Sequence, residues 1–439
     1  MAVAQTSGNM SPELLRVAER ARSDPEGKIY ALAHLIDENA LERAYDRLRK
    51  GAAVGVDGVT VEEYGKELRG NLQDLYLRLR SGSYRHQPIR RIHIRKGKGK
   101  TRPIGIGTVE DKIVQGALRE VLEAVYEQDF LDCSFGFRPG RSAHDALRAL
   151  NRVVHMGEVN WILEGDIQSF FDNISRKALV EMLQTRVVDG SIARLVGKCL
   201  NVGVLEDEEL KYPTEGTTQG SIISPMLGNI FLHGVLDTWF ENQVKPRLSG
   251  RAHLIRYGDD VTITFERGDD VRRVRSVLGR RLGKYGLALH PEKTRIVPFR
   301  RPPRRKVSGK GPSTVDFLGF KLYWRRTRAG RWEMWFKTRG ASMRKAVSRA
   351  WEWCKRHRHQ PVPLQHAALK RFLQGHIAYF GVNGNLKCLR LVVRRVRNEW
   401  FKWLRRRSQR HRLTWLRFSD LLKDFPLPKA RIKVQIWGR

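Results

Sequence analysis

Two acidic segments hold the residues best suited to chemistry in a chain dominated by lysine and arginine. Asp166 follows an apolar run that also contains Glu164, and Asp259 and Asp260 lie between two further apolar runs. Neighbouring carboxylates beside buried strands disfavour each other's ionisation unless a cation neutralises them. Because Mg²⁺ prefers oxygen ligands, Asp166 and Asp259 can share two ions ~3.5–4 Å apart and carry out phosphoryl transfer by in-line displacement.

The Gly-Asp-Asp sequence also has a purely structural interpretation. Asp259 and Asp260 are of a residue type that favours turns, and an isolated pair would usually do no more than that. The apolar residues on either side, among them Ile255, Val261 and Ile263, instead favour a hairpin of two buried strands with the acids at its tip.

The elements that must position these acids are indicated by apolar periodicity. We predict helices at 31–49, 61–80, 111–128, 176–184 and 224–240, and strands at 84–94, 101–106, 161–167, 254–257 and 261–265. Residues 96–100, rich in glycine and lysine, are expected at a hairpin tip, and residues 300–312 in a loop or linker. Strands and helices are mixed, so the class is α/β or α+β, with a domain boundary near 330 and a basic helical segment beyond 337.

The composition predicts a polyanionic partner. The 439 residues include 83 Lys and Arg against 46 Asp and Glu, a net charge of +37. So large a charge destabilises a compact chain unless it is neutralised, and nucleic acid is the commonest neutralising ligand. No segment approaches the ~18 apolar residues of a membrane span, and the first residues lack the apolar core of a signal peptide. The four cysteines are scattered, so we expect a cytoplasmic protein with no membrane partner.

Eight ordered blocks of the sequence resemble group II intron-encoded reverse transcriptases, also called maturases. The blocks are Gly55-Val-Asp-Gly58, Thr101-Arg-Pro-Ile-Gly105, Ser134-Phe-Gly-Phe-Arg-Pro-Gly-Arg141, Gly165-Asp-Ile-Gln-Ser-Phe-Phe-Asp172, Thr218-Gln-Gly-Ser-Ile-Ile-Ser-Pro225, Tyr257-Gly-Asp-Asp260, Gly286-Leu-Ala-Leu-His-Pro-Glu-Lys293 and Phe317-Leu-Gly-Phe320. A ninth block, Gly375-His-Ile-Ala-Tyr-Phe380, is similar to the thumb or maturase region. The family more often has Ala where Gly258 stands and Pro where Thr218 stands, and neither departure removes a ligand or a charge.

The resemblance implies an α+β right-hand polymerase with fingers, a palm built on an antiparallel sheet flanked by helices, and a helical thumb. It divides the chain into a flexible N-terminal lead-in (1–27), an N-terminal extension with the fingers (28–160), the palm (161–330, with 176–215 partly in the fingers) and a thumb or maturase domain (331–439). It places Asp166, Asp259 and Asp260 on the catalytic carboxylate positions. Two Mg²⁺ ions would be held by Asp166, Asp259 and the backbone carbonyl of Ile167.

The resemblance also implies which residues bind the incoming dNTP, namely Lys96, Arg102, Phe171, Gln219, Gly220 and Lys293. Lys96 and Arg102 match positions that clamp the triphosphate. Phe171 lies where a ring beneath the sugar excludes a ribose 2′-hydroxyl. The alternatives are an ordinary core phenylalanine at 171, a polar helix start at Gln219 and a solvated lysine at 96 or 293.

The C-terminal part of the chain predicts nucleic-acid binding. Residues 385–417 include twelve Lys or Arg and one acid, with apolar residues at helical spacing. One face of such a helix can pack while the other contacts phosphates, which gives shape-based and salt-sensitive binding. We predict nucleic-acid contacts at Arg138, Arg394, Arg397, Arg405 and Arg406. A merely soluble basic helix is the alternative, and core packing explains the tryptophans of this region better than stacking on bases.

These observations together predict an RNA-directed DNA polymerase of the bacterial group II intron type that lacks an endonuclease domain. We expect it also to bind its intron RNA and so to assist splicing and mobility. Its expected partners are group II intron RNA, an RNA template with a DNA primer, target DNA and dNTPs, in the bacterial cytoplasm and at the nucleoid during mobility. The alternatives are a splicing-only RNA-binding maturase, against which the intact acids argue, and a domesticated reverse transcriptase in host defence.

Overall fold

The computed structural model describes residues 10–97, 100–303, 312–408 and 413–437, with the side chains of 95–97 and 100 excluded. The helices are α1 (Pro12–Ser23), α2 (Glu38–Asp46), α3 (Val61–Tyr64), α4 (Leu68–Arg80), α5 (Val109–Asp129), α6 (Ala143–Met156), α7 (Arg176–Arg186), α8 (Gly190–Leu200), α9 (Ser224–Leu232), α10 (Gly268–Gly283), α11 (Gly340–Arg356), α12 (Val362–Phe380), α13 (Leu386–Arg405) and α14 (Trp415–Asp424). The strands are β1 (Ile89–Gly97), β2 (Lys100–Ile106), β3 (Trp161–Asp166), β4 (Val204–Glu206), β5 (Glu209–Lys211), β6 (Ala252–Tyr257), β7 (Asp260–Phe265), β8 (Arg295–Pro298), β9 (Val315–Phe317), β10 (Phe320–Arg326) and β11 (Trp332–Thr338). The α+β prediction is confirmed.

The central sheet has four strands in the order β6-β7-β3-β8, and every neighbouring pair is antiparallel. Successive side chains of a strand face opposite sides of the sheet. One side contributes to the largest hydrophobic core, together with α5, α9 and α10. The other side contributes to a second core with α6 and with the sheet of β9, β10 and β11. A slip of one residue would exchange the side chains of the two faces, so packing into two different cores fixes the strand register.

Two smaller sheets flank this centre. In the first, with strand order β2-β1-β4-β5, β1 and β2 form a hairpin and β4 runs parallel to β1. The backbone N–H of Gly105 in β2 donates to the carbonyl of Gln219 at 2.7 Å, which ties this sheet to the segment before α9. In the second, with strand order β11-β10-β9, all pairs are antiparallel.

The prediction that residues 1–27 form a flexible lead-in is wrong for residues 12–23. Residues 12–23 form α1, whose N-terminus is capped by the Ser11 side chain, and Leu14, Ala18 and Ala21 are buried where α1 packs against α5. These residues are spaced four and three apart, as on one face of a helix. Because two of the three are alanine, the apolar signal in the sequence is weak. Residues 1–9 lie outside the described part of the chain.

The strand predicted at 84–94 begins only at Ile89. The Tyr84 hydroxyl donates to the Asp111 carboxylate at 2.6 Å, and the backbone N–H of Gln87 donates to the same carboxylate. Residues 84–88 therefore form a loop bound to the start of α5, and Pro88, which has no N–H to donate, precedes the strand.

Two predicted helices are shorter than expected. The helix at 31–49 is a short 3₁₀ turn followed by α2, because the Asp37 side chain caps a new helix start. The helix at 224–240 ends as α9 at Leu232, and the chain continues with π-helical geometry over His233–Asp237 and Phe240–Val244.

The predicted domain boundary near 330 cuts through a sheet. β11 covers Trp332–Thr338 and pairs along its whole length with β10, so the purely helical part begins at Gly340. Helices α11–α14 share a third core that includes the fully buried Trp400 and the mostly buried Trp403. The predicted linker over 300–312 lies largely outside the described residues. No helix in the described ranges is long and apolar enough to span a bilayer.

Candidate active site

Three carboxylates meet where the central strands end. Asp166 is the last residue of β3, Asp260 is the first of β7, and the two are paired directly across the antiparallel ladder. Directly opposed residues have Cβ atoms ~4.5–5.5 Å apart and lie on the same face of the sheet. Asp259 lies in the two-residue turn between β6 and β7, next to Asp260. The acids predicted from two distant stretches of sequence are therefore brought together.

Burial and mutual repulsion both disfavour the charged form of the acids in this group. Loss of hydration, with a smaller contribution from the nearby Asp166, raises the pKa of Asp259. The same loss of hydration, followed by repulsion from Asp259 and Asp166, raises the pKa of Asp260 to about 6. The Asp260 residue is nevertheless exposed, so water screens part of this repulsion. A cation placed among the three carboxylates would relieve it.

The segment before β8 holds the end of β3. The N–H of His290 donates to the carbonyl of Asp166 at 2.7 Å, and the N–H of Gln168 donates to the carbonyl of Ala288 at 2.8 Å. Ile167 lies between these two bonds and opposite Leu289, so its own carbonyl points away from this ladder. The Ile167 side chain is buried, which fixes the orientation of that carbonyl.

The oxygen donors present suit a hard divalent cation. Asp166, Asp259 and Asp260 supply carboxylate oxygens and Ile167 a carbonyl, which are the ligand types that Mg²⁺ takes. The exposed ammonium of Lys293 forms an ion pair with the Asp166 carboxylate. Within the described ranges, no three His, Cys, Asp or Glu side chains already converge at metal-binding distance. The donor chemistry therefore fits a metal ion, whose binding has to draw the carboxylates together.

A cavity of about 260 Å³ lies between β2, β4 and the segment that contains Gln219. Its lining includes Gly105 from β2, Asp172 from the turn after β3, and Gln219. The Gln219 side chain accepts from Arg102 Nε at 2.7 Å and donates to the Asp172 carboxylate at 3.3 Å. Gln219 and Arg102, predicted to bind dNTP, are thus in direct contact, and Asp172 joins them. Asp172 was missed as a site residue although it ends the quoted block Gly165–Asp172.

Two other predicted dNTP residues have clear structural roles. The Phe171 residue is half-buried, and its ring contacts Phe170 with centroids 5.1 Å apart. Gly220 has φ +108°, and a Cβ there would lie 2.5 Å from the carbonyl oxygen of Gly105, so only glycine fits. Lys96 belongs to β1, but its side chain lies outside the described residues.

Arg138 was predicted to contact nucleic acid, and the structure contradicts this. Its side chain is only 3% exposed and pairs with Glu127 at 3.0 Å. It also donates to the carbonyls of Leu131 and Ser134 at 2.9 and 3.0 Å. A buried guanidinium with these partners braces the loop of residues 131–138 and is not available to a phosphate.

Arg256 was missed, and it fixes the turn between β6 and β7 that carries Asp259. Its side chain is fully buried and forms a bidentate ion pair with Asp237, with distances of 2.8 and 2.6 Å. It donates further to the Asn229 side chain at 2.9 Å, the Ser134 hydroxyl at 2.7 Å and the carbonyl of Gly258 at 3.1 Å. An arginine in an apolar strand can equally face solvent, so the sequence carries no signal for this role.

The arginines predicted in α13, and Arg406 directly after it, differ in exposure. Arg394, Arg405 and Arg406 are exposed, and none of them forms an ion pair with a carboxylate of the described residues. Arg406 lies over the ring of Trp403, with 5.3 Å between the guanidinium and the ring centroid. Arg397 is half-buried and lies over Trp415 at 5.0 Å.

Comparison with known proteins identifies the class to which this fold and site belong. The family model described as reverse transcriptase (RNA-dependent DNA polymerase) matches residues 94–322, just over half of the chain and all of the site. Protein YkfC of Escherichia coli K12 is 35% identical over 265 residues, which cover 58% of this chain and 68% of that protein. The chain therefore belongs to the reverse transcriptase family.

Further relatives define the branch of the family. The group II intron-encoded protein LtrA of Lactococcus lactis subsp. cremoris is 39% identical over 194 residues, 43% of this chain and 32% of that protein. An uncharacterised 91 kDa protein in the cob intron of Schizosaccharomyces pombe is 38% identical over 208 residues, 47% of this chain and 25% of that protein. The predicted resemblance to group II intron reverse transcriptases and maturases is confirmed. The matches span between a quarter and about two thirds of these relatives' own lengths.

Proposed function

We propose that the protein is an RNA-directed DNA polymerase of the group II intron type, which extends a DNA primer on an RNA template. The observation that carries this proposal is the pairing of Asp166 with Asp260 across two neighbouring strands, with Asp259 in the adjoining turn. Reverse transcriptases generally use divalent metal ions, and three carboxylates at the ends of neighbouring strands form a site for such ions.

We propose Asp166, Asp259 and the Ile167 carbonyl as the ligands of two Mg²⁺ ions. When bound, such ions lower the pKa of an attacking hydroxyl and stabilise the oxygens of the leaving pyrophosphate. Asp260 adds negative charge beside the ligands and must be deprotonated for the cations to bind well. Lys293, which neutralises Asp166 in the metal-free protein, is then available to the phosphates of the substrate.

The neighbouring residues select and hold the dNTP. Arg102, with Lys96 from the same hairpin, supplies positive charge to the triphosphate as charge develops on its oxygens. Gln219 is held by Arg102 and Asp172, which orients its amide before the nucleotide arrives. The Phe171 ring supports the sugar and excludes a 2′-hydroxyl, and Gly220 lets the backbone of its loop come close to the base pair.

We propose a domain assignment that is supported by the sheets. The sheet of β1, β2, β4 and β5 forms the fingers, which accounts for the expectation that part of 176–215 belongs there. The central sheet with its helices forms the palm. Helices α11–α14 form the thumb or maturase domain, which begins at Gly340 instead of residue 331.

The surface of α13 is the proposed contact for RNA. Exposed arginines without carboxylate partners attract phosphates, and arginines stacked on tryptophan rings form rigid platforms. Such a surface can hold a template–primer duplex, target DNA or folded intron RNA. Because one relative is a group II intron-encoded protein, group II intron RNA is the proposed splicing substrate. Splicing and mobility therefore use the same protein surface as the polymerase.

The proposal is tested by primer extension on an RNA template with dNTPs and Mg²⁺. The wild type should extend the primer, and Asp259→Ala should not, because one ligand is lost. Both proteins should bind the template–primer equally, since Asp259 does not contact it directly. Extension by Asp259→Ala at the wild-type rate would contradict the proposed site, and binding without extension by the wild type would favour a splicing-only maturase.

A further inference from the structure

Phe137 is an exposed aromatic residue in a strained backbone conformation. Its φ is +60°, in the left-handed region that bulky side chains rarely adopt, and 48% of the residue is exposed. Glycine or asparagine is the usual residue at such a position. An exposed phenylalanine contributes little to the core, so core packing does not offset the free-energy cost of its strained backbone. Residues strained in this way are typical of functional sites.

The residues on both sides of Phe137 are rigidly held. Gly136 packs against the catalytic turn so closely that a Cβ on it would lie 2.2 Å from the backbone nitrogen of Gly258. Its carbonyl accepts from the Asn229 side chain at 2.8 Å. On the other side, the buried Arg138 is fixed by Glu127 and by two backbone carbonyls. The loop therefore cannot relax the strain at Phe137 by a small rearrangement.

The ring lies directly beside the turn that carries Asp259. A Cβ on Gly258 would lie 2.9 Å from Cε2 of Phe137, and the ring centroid is 6.1 Å from that of Tyr257. In a polymerase of the proposed type, the 3′ end of the primer has to reach the ions held by Asp259. The exposed part of the Phe137 ring thus borders the space that the end of the primer must enter.

We propose that Phe137 is a nucleic-acid contact that packs against the primer strand at its 3′ end. This inference rests on the proposed function. An aromatic ring contacts a nucleotide by stacking or by packing on the sugar, and such contacts tolerate any base sequence. A polymerase that copies every template needs this tolerance. The rigid loop presents the ring in one orientation, so primer binding does not have to order it.

The cleanest test uses Phe137→Gly. Glycine adopts φ +60° without strain, so the variant removes the ring and leaves the loop conformation intact. We expect the dissociation constant of an RNA template–DNA primer to rise about tenfold, as is typical for the loss of one stacking ring. The KM for dNTP should change much less, because the ring does not line the cavity that contains Gln219. Phe137→Tyr should behave as the wild type.

A matched control is Tyr30→Ala, which removes an aromatic residue of similar exposure, 51%, far from these motifs in the sequence. It should leave primer binding unchanged. The thermal midpoint of Phe137→Gly should equal or exceed that of the wild type. If the midpoint is preserved and Phe137→Gly binds the template–primer as the wild type does, the inference is wrong.

Photocrosslinking distinguishes the primer from the template. Iododeoxyuridine at the 3′ nucleotide of the primer should crosslink to Phe137→Tyr at position 137, as mapped by mass spectrometry. A crosslink at that position only from the template strand would overturn the assignment to the primer. Failure of the wild type to extend any primer would instead contradict the proposed function itself.

Discussion

The buried Arg256 is predicted to position the turn between β6 and β7, and its loss should lower the free energy of unfolding considerably. The guanidinium and its partner Asp237 are both fully buried. In Arg256→Met the side chain keeps most of its length, but the Asp237 carboxylate is left buried without a counter-charge. Removing one member of a buried pair destabilises a protein by ~3–5 kcal/mol. We expect a loss of this size for the unfolding transition that includes the central sheet.

The double variant Arg256→Met/Asp237→Leu separates stability from positioning. Replacing both members of a buried ion pair with apolar residues is often neutral or stabilising, so the double variant should regain most of the lost stability. It does not regain the hydrogen bonds from Arg256 to Ser134 and to the Gly258 carbonyl. The turn bearing Asp259 therefore stays less well fixed, and kcat should remain low.

Urea denaturation monitored by tryptophan fluorescence gives the stability of each variant, and single-nucleotide extension gives kcat and KM at a temperature at which all are folded. If Arg256→Met lowers the free energy of unfolding by less than about 1 kcal/mol, the Asp237 carboxylate is not left buried without a partner, and the reasoning is refuted. A double variant with wild-type stability and wild-type kcat would refute the positioning role, because the pair would then be purely structural.

Two further predictions concern the metal site and the sugar gate. Burial and the neighbouring carboxylates raise the pKa of Asp260 from 3.8 to about 6, so its contribution to stability is complete at low pH and is lost as the pH rises through about 6. Mg²⁺ should therefore raise the thermal midpoint more above pH 6 than below it, and Asp260→Asn should flatten this dependence. An equal Mg²⁺ effect at every pH would count against it. Phe171→Ala should increase the incorporation of ribonucleotides relative to deoxynucleotides in primer extension. Unchanged sugar selectivity would show instead that Phe171 is an ordinary core residue.

The site acids were predictable because their signal is local. Alternating apolar residues on both sides of Asp259 and Asp260 indicate two strands joined by a short turn, and the observed hairpin differs by only one or two residues at its ends. α5 was predicted nearly to its ends for the same reason, since its apolar face continues over five turns. Long periodic segments carry enough apolar residues to outweigh individual exceptions.

The environment of the arginines was not predictable, because it depends on which distant segments meet. Arg138 and Arg256 are buried, whereas Arg394 and Arg405 are exposed, and the four look alike in a strongly basic sequence. The partner of Arg256, Asp237, lies in a π-helical segment that apolar periodicity treats as ordinary helix. Only the packing of that segment against β6 distinguishes an internal ion pair from a surface charge.

Lys293 and Arg256 hold the three acids and the turn between β6 and β7 in place by different means. Three carboxylates at the ends of neighbouring strands repel one another, and without a metal ion this repulsion would push the β6–β7 turn away from β3. Lys293 neutralises Asp166 from the solvent side, where a metal ion or a phosphate can replace its ammonium. Arg256 holds the Gly258 carbonyl from the interior, where nothing competes with it. The turn is therefore held from the interior, and a metal ion that draws the carboxylates together has to displace only the exposed Lys293 ammonium.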